Sequence, residues 1–529
     1  MTCALRRPFG VHGDAAGPGV TRLLTDAARY RGASVVLVGL GGACAGALTA
    51  LSPTGALAVA LGALALLLLA MRDRLVTLFL FGVVFLLVGY AFSGRPFAHL
   101  GAAPIYVGEP VLALALLAFC RSVWSFKPRT LELLVLSFMI LGAVRTLPYL
   151  ERYGLDALRD ATLWGYAVFA LGLASVLTAR HITAAVAIYR RLVVAFLVLV
   201  PLTAALAPLV SDSLPTVPGS NVGVLNFKEG DIGVHLAGAA AFVIVGLFQT
   251  PGAAPALVDT LLLPFWLFGV GVALSLNRGG FVAANAAWLS LGFFRPPKRW
   301  LFSLLLMALV ALALVTADPS LDYGTSRQLS LDQIGANLGS IFADTNNTGL
   351  QGTKEFRLAW WGAIVDYTLN GPYFWTGKGF GVNLADDDGF QVTADDSLRA
   401  PHNTHFTVLA RMGVPGLLLW AALQVAFGIQ LLMAYFHSRR VGNDFWCRVD
   451  IWLFVYWIAM LVDTSFDPYL EGPQGGIWFW AVIGLGVAAI NLQRRPSRGE
   501  EEVEKYLPMQ PSVVSAASPP IFADGRPGS

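Results

Sequence analysis

Long apolar segments alternate with short polar connections along most of the chain. Many of the apolar segments have about 17–25 residues, which is the length that a helix needs to cross the hydrocarbon of a bilayer. The pattern predicts an all-α polytopic membrane protein with about 12–14 transmembrane helices. The fourteen candidate spans are 33–52, 55–71, 75–93, 105–120, 130–148, 161–179, 192–210, 231–249, 258–276, 281–294, 300–317, 403–436, 450–466 and 475–493.

These spans divide the chain into five parts. Residues 1–32 form an N-terminal tail, 33–317 hold helices 1–11, and 318–402 form one large loop. Residues 403–493 hold helices 12–14. The tail 494–529 is charged and then rich in Pro, Ser and Ala, so we expect it to be disordered.

The large loop is expected to contain short helices of its own, because structureless loops of this length are uncommon in compact proteins. The segment 355–369, EFRLAWWGAIVDYTL, fits such a helix, and Asn370-Gly371-Pro372 is a normal helix stop. Helical spacing places one set of its residues along one side: Arg357, Trp361, Ile364, Val365 and Thr368.

The positions of the basic residues predict the orientation in the membrane. If the N-terminus is cytoplasmic, nearly every basic cluster falls on the cytoplasmic side, as the positive-inside rule requires. The connections concerned are Arg72-Asp73-Arg74, 121–129, 180–191, 295–299 and 439–448, and the C-terminal tail joins them. The opposite, outer face then carries 94–104, 149–160, 211–230, the short turn 277–280, the loop 318–402 and the loop 466–474.

Composition excludes several classes of protein. Only 13% of the residues are charged and 56% are hydrophobic, whereas soluble domains have about 25% charged residues. A net charge of +3 gives no nucleic-acid footprint. None of the four cysteines lies in the large loop, so we expect no disulfide framework and no cysteine-based metal site there. Residues 1–31 lack the apolar region of a cleaved signal peptide.

Two arginines on the outer face are candidates for phosphate binding. Arg278 follows the span 258–276, and Gly279-Gly280 allow a sharp backbone turn. It either extends to lipid headgroups or has an anionic partner, as an arginine against the positive-inside trend suggests. Arg357 is either a solvated residue of an amphipathic helix or a clamp for phosphate oxygens.

A His-Asn pair precedes the span 403–436. Asn403 fits the N-cap of that helix, and His402 either has a structural role or exchanges protons beside the helix N-terminus. His405, one turn further on, is the weaker candidate of the two histidines. Gly413 and Gly416 are three positions apart and most simply allow close helix packing.

Other charged residues have competing interpretations. Lys228 in NFKEGDIGVHL either contacts phosphate or pairs with a headgroup or Glu229. The groups Asp386-Asp387-Asp388 and Asp395-Asp396 suggest calcium, but they lack the alternating spacing and final glutamate of an EF-hand loop. A solvated acidic surface is the favoured interpretation, and no metal site is predicted.

Taken in order, these elements resemble the O-antigen ligase and polymerase superfamily of membrane glycosyltransferases. The resemblance covers residues 220–425 by motif and the whole chain by topology. Asn277 departs from it, since a serine often precedes this arginine. The motifs are Asn277-Arg278-Gly279-Gly280, Arg357 with Trp361, Gly377-x-Gly379-x-Gly381, His402-Asn403 and Gly413-x-x-Gly416.

The resemblance implies a metal-independent glycosyltransferase of the membrane-embedded C type that needs no cofactor. Such an enzyme takes a glycan from undecaprenyl diphosphate on the outer face of the bacterial cytoplasmic membrane and passes it to a glycan or lipid acceptor. By this likeness His402, Arg278 and Arg357 are catalytic. Lys228, Trp361 and Asn403 bind substrate.

The function is left open between two classes of protein. A ligase and a polymerase share these motifs and differ in acceptor, which the sequence does not separate. The alternative is a non-enzymatic carrier, such as a flippase for lipid-linked oligosaccharide. A carrier should place polar residues near the middle of the membrane and show repeated halves, whereas the candidate charges here gather at one face. A purely structural membrane subunit leaves the large loop unexplained.

Overall fold

A computed structural model describes ten ranges of the chain, namely 74–102, 105–122, 127–210, 213–220, 222–227, 229–249, 257–294, 321–322, 328–342 and 348–494. All but the first two of these residues belong to one compact unit, Val76–Ser529. The predicted spans 33–52, 55–71 and 300–317, the N-terminal tail and residues 495–529 of the C-terminal tail lie outside the described residues.

The described residues form eighteen α-helices, two short 3-10 helices (Leu147–Tyr149 and Tyr469–Glu471), one π-helical stretch and two short hairpins. The hairpin strands are β1 (Gly101–Ala102) with β2 (Ile105–Tyr106), and β3 (Leu321–Asp322) with β4 (Gln328–Leu329), and both pairs are antiparallel. The helices are α1 (Leu75–Ser93), α2 (Arg95–Ala98), α3 (Gly108–Ser122), α4 (Thr130–Thr146), α5 (Leu150–Tyr153), α6 (Leu155–Asp160), α7 (Thr162–Gly165), α8 (Ala167–Val176), α9 (Ala179–Val210), α10 (Glu229–Ile244), α11 (Leu257–Leu276), α12 (Arg278–Phe294), α13 (Leu331–Phe342), α14 (Thr348–Val365), α15 (Leu384–Asp388), α16 (Thr404–Arg440), α17 (Asp444–Asp463) and α18 (Pro473–Gln493).

The predicted all-α polytopic class is confirmed. Six of the described segments are long and apolar enough to cross a bilayer: α1, α4 with its extension to Tyr153, α9, α16, α17 and α18. The apolar stretches of α17 and α18 are 72% and 83% buried inside the protein, so these two helices form the centre of the bundle. Helix α18 packs against α8, α16 and α17. The total of 12–14 spans stays a prediction.

One predicted connection is helical. Residues 180–191, expected as a cytoplasmic connection, belong to helix α9, and their side of the membrane stays a prediction. Ala179, Ile182, Val186 and Val193 are buried along one side of this helix. Their spacing is helical, so the apolar stripe of the span continues through the basic segment while the arginines occupy other sides.

The large loop contains helices, as predicted. Helix α14 continues through a single π-helical stretch, Asp366–Asn370, and stops before Gly371. Its buried residues are Trp360, Ile364 and Thr368. Ile364 and Thr368 belong to the side that helical spacing groups together, and Trp361 of that side is half-buried. Trp360 stacks on Phe390 with ring centroids 5.4 Å apart. The loop therefore shares a small apolar core with the start of α16.

Helix α16 is broken near its start. Gly413 has φ 69° and ψ −170°, a conformation available to glycine, and a Cβ there would lie 2.5 Å from the carbonyl oxygen of Phe374. Gly413 is thus a break in the helix, rather than the packing position that the sequence suggested. Gly416 lies beside the same break, because a Cβ on it would overlap the Cβ of Met412.

The break exposes backbone groups that the large loop then satisfies. Pro415 has no N–H, so the carbonyl of Arg411 has no partner within the helix. The N–H of Gly379 donates to this carbonyl at 3.0 Å, and the N–H of Lys378 donates to the carbonyl of Ala410 at 2.7 Å. The N–H of Val414 donates in the other direction, to Phe374 O at 2.8 Å. These bonds hold the loop against the start of α16.

A buried ion-pair network fastens the same loop to α6. Asp160 Oδ2 lies 3.0 Å from Arg411 Nη2 and 3.1 Å from Arg399 Nη2, and it also accepts the N–H of Gly381 at 3.0 Å. Arg411 donates its other terminal nitrogen to the carbonyls of Gly379 and Val382. The carboxylate is therefore paired and hydrogen-bonded, as a buried charge must be.

Candidate functional site

Arg357 lies on α14 and points toward the connection between α17 and α18. Its Nη1 donates to the carbonyl oxygen of Phe466 at 3.2 Å, and the side chain is partly exposed. A guanidinium has five N–H donors in a planar fork that matches the geometry of phosphate oxygens.

Trp361 joins α14 to the start of α16. Its Nε1 donates to the carbonyl of Pro401 at 2.8 Å, and its ring stacks on Phe406 at 5.0 Å with 9° between the planes. Trp361 is one helical turn after Arg357, and Pro401 directly precedes His402. The two predicted catalytic residues Arg357 and His402 are therefore held on neighbouring segments by one tryptophan.

His402 has an uncommon backbone conformation. Its φ is 53°, and in the described residues it shares a positive φ with one other non-glycine residue, Asp396. Such a conformation costs about 1–3 kcal/mol and persists where the surroundings impose it, which is frequent at functional sites. Hydrogen bonds of Pro401 and Asn403 hold the residues on both sides of His402.

Asn403 caps helix α16, as the sequence predicted. Its Oδ1 accepts the N–H of His405 at 2.9 Å and that of Phe406 at 3.3 Å. Its Nδ2 donates to the carbonyl of Ser465 at 2.9 Å, and the N–H of Thr404 donates to the carbonyl of Thr464 at 2.8 Å. The cap thereby binds residues 464–466, which we call the 464–466 segment.

Arg278 is the first residue of helix α12, so the predicted turn 277–280 is shorter than expected. Asn277 Oδ1 accepts the N–H of Gly279 at 2.8 Å and caps the helix. Asparagine and serine are equally good N-caps, which explains why asparagine can occupy this position. The backbone places Arg278 at the site, and its side chain lies outside the described atoms.

Gly279 allows α12 to approach the 464–466 segment. A Cβ on Gly279 would lie 2.8 Å from the Cβ of Phe466. The neighbouring Gly280 packs against α10, because a Cβ on Gly233 would overlap the backbone of Gly280. These two glycines thus serve close packing rather than the sharp turn that was expected.

Two carboxylates, those of Asp463 and Asp467, lie near the start of α10 beside Asn277. A Cβ on Gly230 would lie 3.1 Å from Asp463 Oδ1, 3.2 Å from Asn277 Nδ2 and 3.5 Å from Asp467 Oδ2. Burial raises the pKa of the Tyr469 hydroxyl well above its ordinary value, and the negative charges of Asp231, Asp463 and Asp467 raise it further. Tyr469 therefore stays protonated and neutral beside these acids at any physiological pH.

The remaining predicted residues lie elsewhere or outside the described part. Lys228 is outside the described residues. The acidic group 386–388 is not simply solvated, because Asp388 is buried and paired with Lys378, whereas Asp386 is exposed. Asp395 is exposed, and hydrogen bonds from Ser397 lower its pKa. Over the described ranges no group of three or more His, Cys, Asp or Glu side chains is arranged to hold a metal ion.

The predicted site segments therefore meet at the 464–466 segment. Phe466 contacts Arg357 and Gly279, while Ser465 and Thr464 bind the start of α16. Sequence reasoning placed 466–474 on the same face but gave it no role. The available signal was the polar run Asp463-Thr464-Ser465-Phe466-Asp467 at the end of an apolar helix.

Comparison with known proteins supports the interpretation of this region. Residues 263–421 match the O-antigen ligase family. The matched range includes the start of α12, helix α14, the His402-Asn403 pair and the break in α16. The resemblance to the O-antigen ligase and polymerase superfamily is thereby confirmed.

The family match supports a coarse function. It indicates an O-antigen ligase- or polymerase-like activity, that of a glycosyltransferase in a multi-pass membrane protein with lipid and glycan substrates. No curated protein matches the chain. The family match and the geometry of the site therefore carry the functional argument.

Proposed function

We propose that this protein transfers a glycan from undecaprenyl diphosphate to a polysaccharide or lipid acceptor on the outer face of the bacterial cytoplasmic membrane. The observation that carries the proposal is the convergence of the Arg357 and Asn403 segments on one short segment, 464–466. The backbone of α12 brings Arg278 to the same place. This arrangement suits an anionic lipid headgroup at the membrane surface.

The proposed chemistry is a displacement at the anomeric carbon of the donor sugar. The acceptor hydroxyl oxygen forms a bond to C1, and the bond from C1 to the diphosphate oxygen breaks, so that the electron pair leaves with the diphosphate. His402 takes the proton of the acceptor hydroxyl. Arg357 and Arg278, with Lys228, stabilise the diphosphate, whose charge grows most in the transition state.

A cavity among the spanning helices supports a lipid-linked donor. It has a volume of about 470 Å³ and is lined mostly by apolar side chains of α1, α8, α9, α17 and α18. His235 lines it, and His235 is one helical turn from Asp231 near the site. The proposal places the hydrocarbon chain of the donor in this cavity and its diphosphate at Arg357.

The test is transfer by the purified protein in lipid, with an undecaprenyl-diphosphate oligosaccharide and a candidate acceptor. Product that forms only with the acceptor identifies a ligase, and chain growth without it identifies a polymerase. Glycan movement across the bilayer without cleavage of the diphosphate bond supports the carrier instead. Failure to consume any of a panel of donors contradicts the proposal.

Variants assign the roles in the same assay. We expect Arg357→Ala and His402→Ala each to reduce transfer by about 10²–10³-fold, because each removes a group that acts in the transition state. Expression and membrane insertion should be unchanged. Lys354→Ala, an exposed cation one turn away on α14, is the matched control. Wild-type activity in either site variant would contradict its assigned role.

A further inference from the structure

Three side chains connect the interior of helix α16 to the 464–466 segment. Trp420 is 1% exposed, and its Nε1 donates to His405 Nδ1 at 3.0 Å. The other ring nitrogen, His405 Nε2, lies 3.1 Å from Ser465 Oγ and 3.4 Å from Thr464 Oγ1. His405 therefore links a buried indole to the segment that contacts Arg357.

The chemistry of the partners fixes the state of the His405 ring. An indole N–H can only donate, so Nδ1 must present its lone pair to Trp420. The ring is then neutral with its hydrogen on Nε2, which donates to the Ser465 hydroxyl. A protonated ring would direct a second N–H at the indole N–H. Both ring nitrogens are thus engaged, which separates His405 from a proton-transfer role.

The 464–466 segment is held on two sides by the start of α16. The N–H of Thr404 donates to the carbonyl of Thr464, and the Asn403 side chain donates to the carbonyl of Ser465. His405 binds the hydroxyl of Ser465. The next carbonyl, that of Phe466, accepts from Arg357. A change in the orientation of Ser465 therefore moves the group that holds the guanidinium.

We propose that Trp420, His405 and Ser465 form a positioning chain for Arg357. The chain holds the 464–466 segment so that the Phe466 carbonyl directs the guanidinium to the donor diphosphate. This inference rests on the proposed function. It gives the two neighbouring histidines separate tasks, since His402 takes a proton and His405 holds the segment.

Two substitutions interrupt the chain at its ends. Trp420→Phe keeps an aromatic ring in the core but removes the N–H, and Ser465→Ala removes the hydroxyl. We expect each to lower kcat by about 10- to 100-fold, since small displacements of a positioning group have effects of this size. The KM for the donor should change less than about threefold, because the misplaced charge acts mainly in the transition state.

Two further variants distinguish positioning from general stability. Trp457→Phe removes a buried indole bond of the same kind, from Trp457 Nε1 to Gln424 Oε1 at 2.9 Å, between α17 and α16. It does not touch the 464–466 segment by any described hydrogen bond, so we expect it to retain activity. Ser465→Thr keeps the hydroxyl and should restore most of the activity that Ser465→Ala loses.

The double variant Trp420→Phe/Ser465→Ala tests whether the two residues act through one chain. Its loss should be close to that of either single variant, because interrupting the chain twice adds little. Losses that multiply would overturn the inference. So would single-variant losses no larger than that of Trp457→Phe.

A readout that does not depend on activity is the tautomer of His405. Nitrogen NMR of ¹⁵N-histidine-labelled protein in lipid, assigned with His405→Gln, should show hydrogen on Nε2 in the wild type and a changed signal in Trp420→Phe. Hydrogen on Nδ1 in the wild type contradicts the chain. If the wild type transfers no glycan, the proposed function fails. The tautomer of His405 still tests whether Trp420, His405 and Ser465 form the hydrogen-bonded chain.

Discussion

At the residue scale, the large loop depends on a buried carboxylate that several groups share. Lys378 Nζ pairs with Asp388 and lies 2.5 Å from Asp387 Oδ2. Trp360 Nε1 donates to Asp388 Oδ2 at 2.7 Å. The Lys378 ammonium nitrogen lies over the ring of Tyr367, 4.2 Å from the ring centroid. The group joins the core of the loop to the segment that docks on the broken helix.

Removing the cation should destabilise the loop. We expect Lys378→Met to cost about 3 kcal/mol, the lower end of the range for breaking a buried pair, because Trp360 still donates to the carboxylate. Limited proteolysis within 384–400 and the thermal unfolding temperature measure this. Asp395→Asn, at an exposed acid of the same loop, should have little effect. Equal protease resistance in Lys378→Met and wild type would contradict the prediction.

The same pair has a defined pH dependence. Burial lowers the pKa of Lys378, but the hydrogen bonds and charges of Asp387 and Asp388 outweigh it, so the net pKa is raised. A raised pKa means that its stabilising contribution is fully present below the ordinary lysine value of about 10.5. The contribution is lost only as the pH rises through the higher folded-state value. The pair is therefore insensitive to pH in the physiological range.

Residue-level predictions succeeded where one side chain decides the outcome. Asn403 was predicted as an N-cap, since an asparagine before an apolar helix has this role in many sequences, and its oxygen caps α16. Trp360 and Trp361 are adjacent, and helical periodicity alone did not show that Trp360 is the buried one. The π-helical stretch and the small core around Phe390 depend on tertiary packing, which a single helix pattern does not contain.

At the scale of elements, the decisive feature is the broken helix α16 with the loop that satisfies its backbone. The glycines of the 377–381 motif have positive φ and fit closely against neighbours. Sequence reasoning recognised the motif only through family resemblance. Its structural role becomes clear only from the surface that it packs against, because a Cβ on Gly379 would overlap the ring of Tyr149.

A pair of glycine substitutions isolates that contact. Gly379 and Gly389 have nearly equal φ, 80° and 78°, but in the described part of the chain no atom lies within 4 Å of a Cβ placed on Gly389. Gly389→Ala should cost only backbone strain of about 1 kcal/mol. Gly379→Ala adds overpacking against Tyr149 to this strain, so the total loss of stability should be about 3 kcal/mol or more. Glycan transfer should also fall. Similar unfolding temperatures for both variants would contradict the role of close packing.

At the scale of the whole molecule, the site is built from segments far apart in sequence. The starts of α12 and α16, helix α14 and the 464–466 segment meet at one place. Apolar periodicity predicted the helices, and the positive-inside pattern predicted that these segments share a face. Neither could predict the contacts of Phe466, because one is made by its backbone carbonyl and the other depends on the close approach of Gly279.

The orientation of the molecule is testable with two engineered cysteines. Ser397 is an exposed loop residue near the start of α16, and Val441 is exposed at the other end of this helix. In a cysteine-free background, an impermeant thiol reagent on intact cells with a permeable outer layer should label Ser397→Cys. It should label Val441→Cys only after the cytoplasmic membrane is opened. The reverse pattern would invert the predicted topology.

The apolar cavity gives a prediction for the lipid chain of the donor. Filling it with Ala185→Trp, a lining residue of α9, should raise the KM for the undecaprenyl-diphosphate donor by about threefold to tenfold. The effect is modest because bilayer lipid is as apolar as the cavity, so only packing is lost. Ala187→Trp, an exposed position on the same helix, is the control.

A donor with a short prenyl chain does not reach the cavity, so its KM should be the same in all three proteins. An equal rise for both donors would mean that the tryptophan disturbs the fold, and no rise for either would place the chain elsewhere.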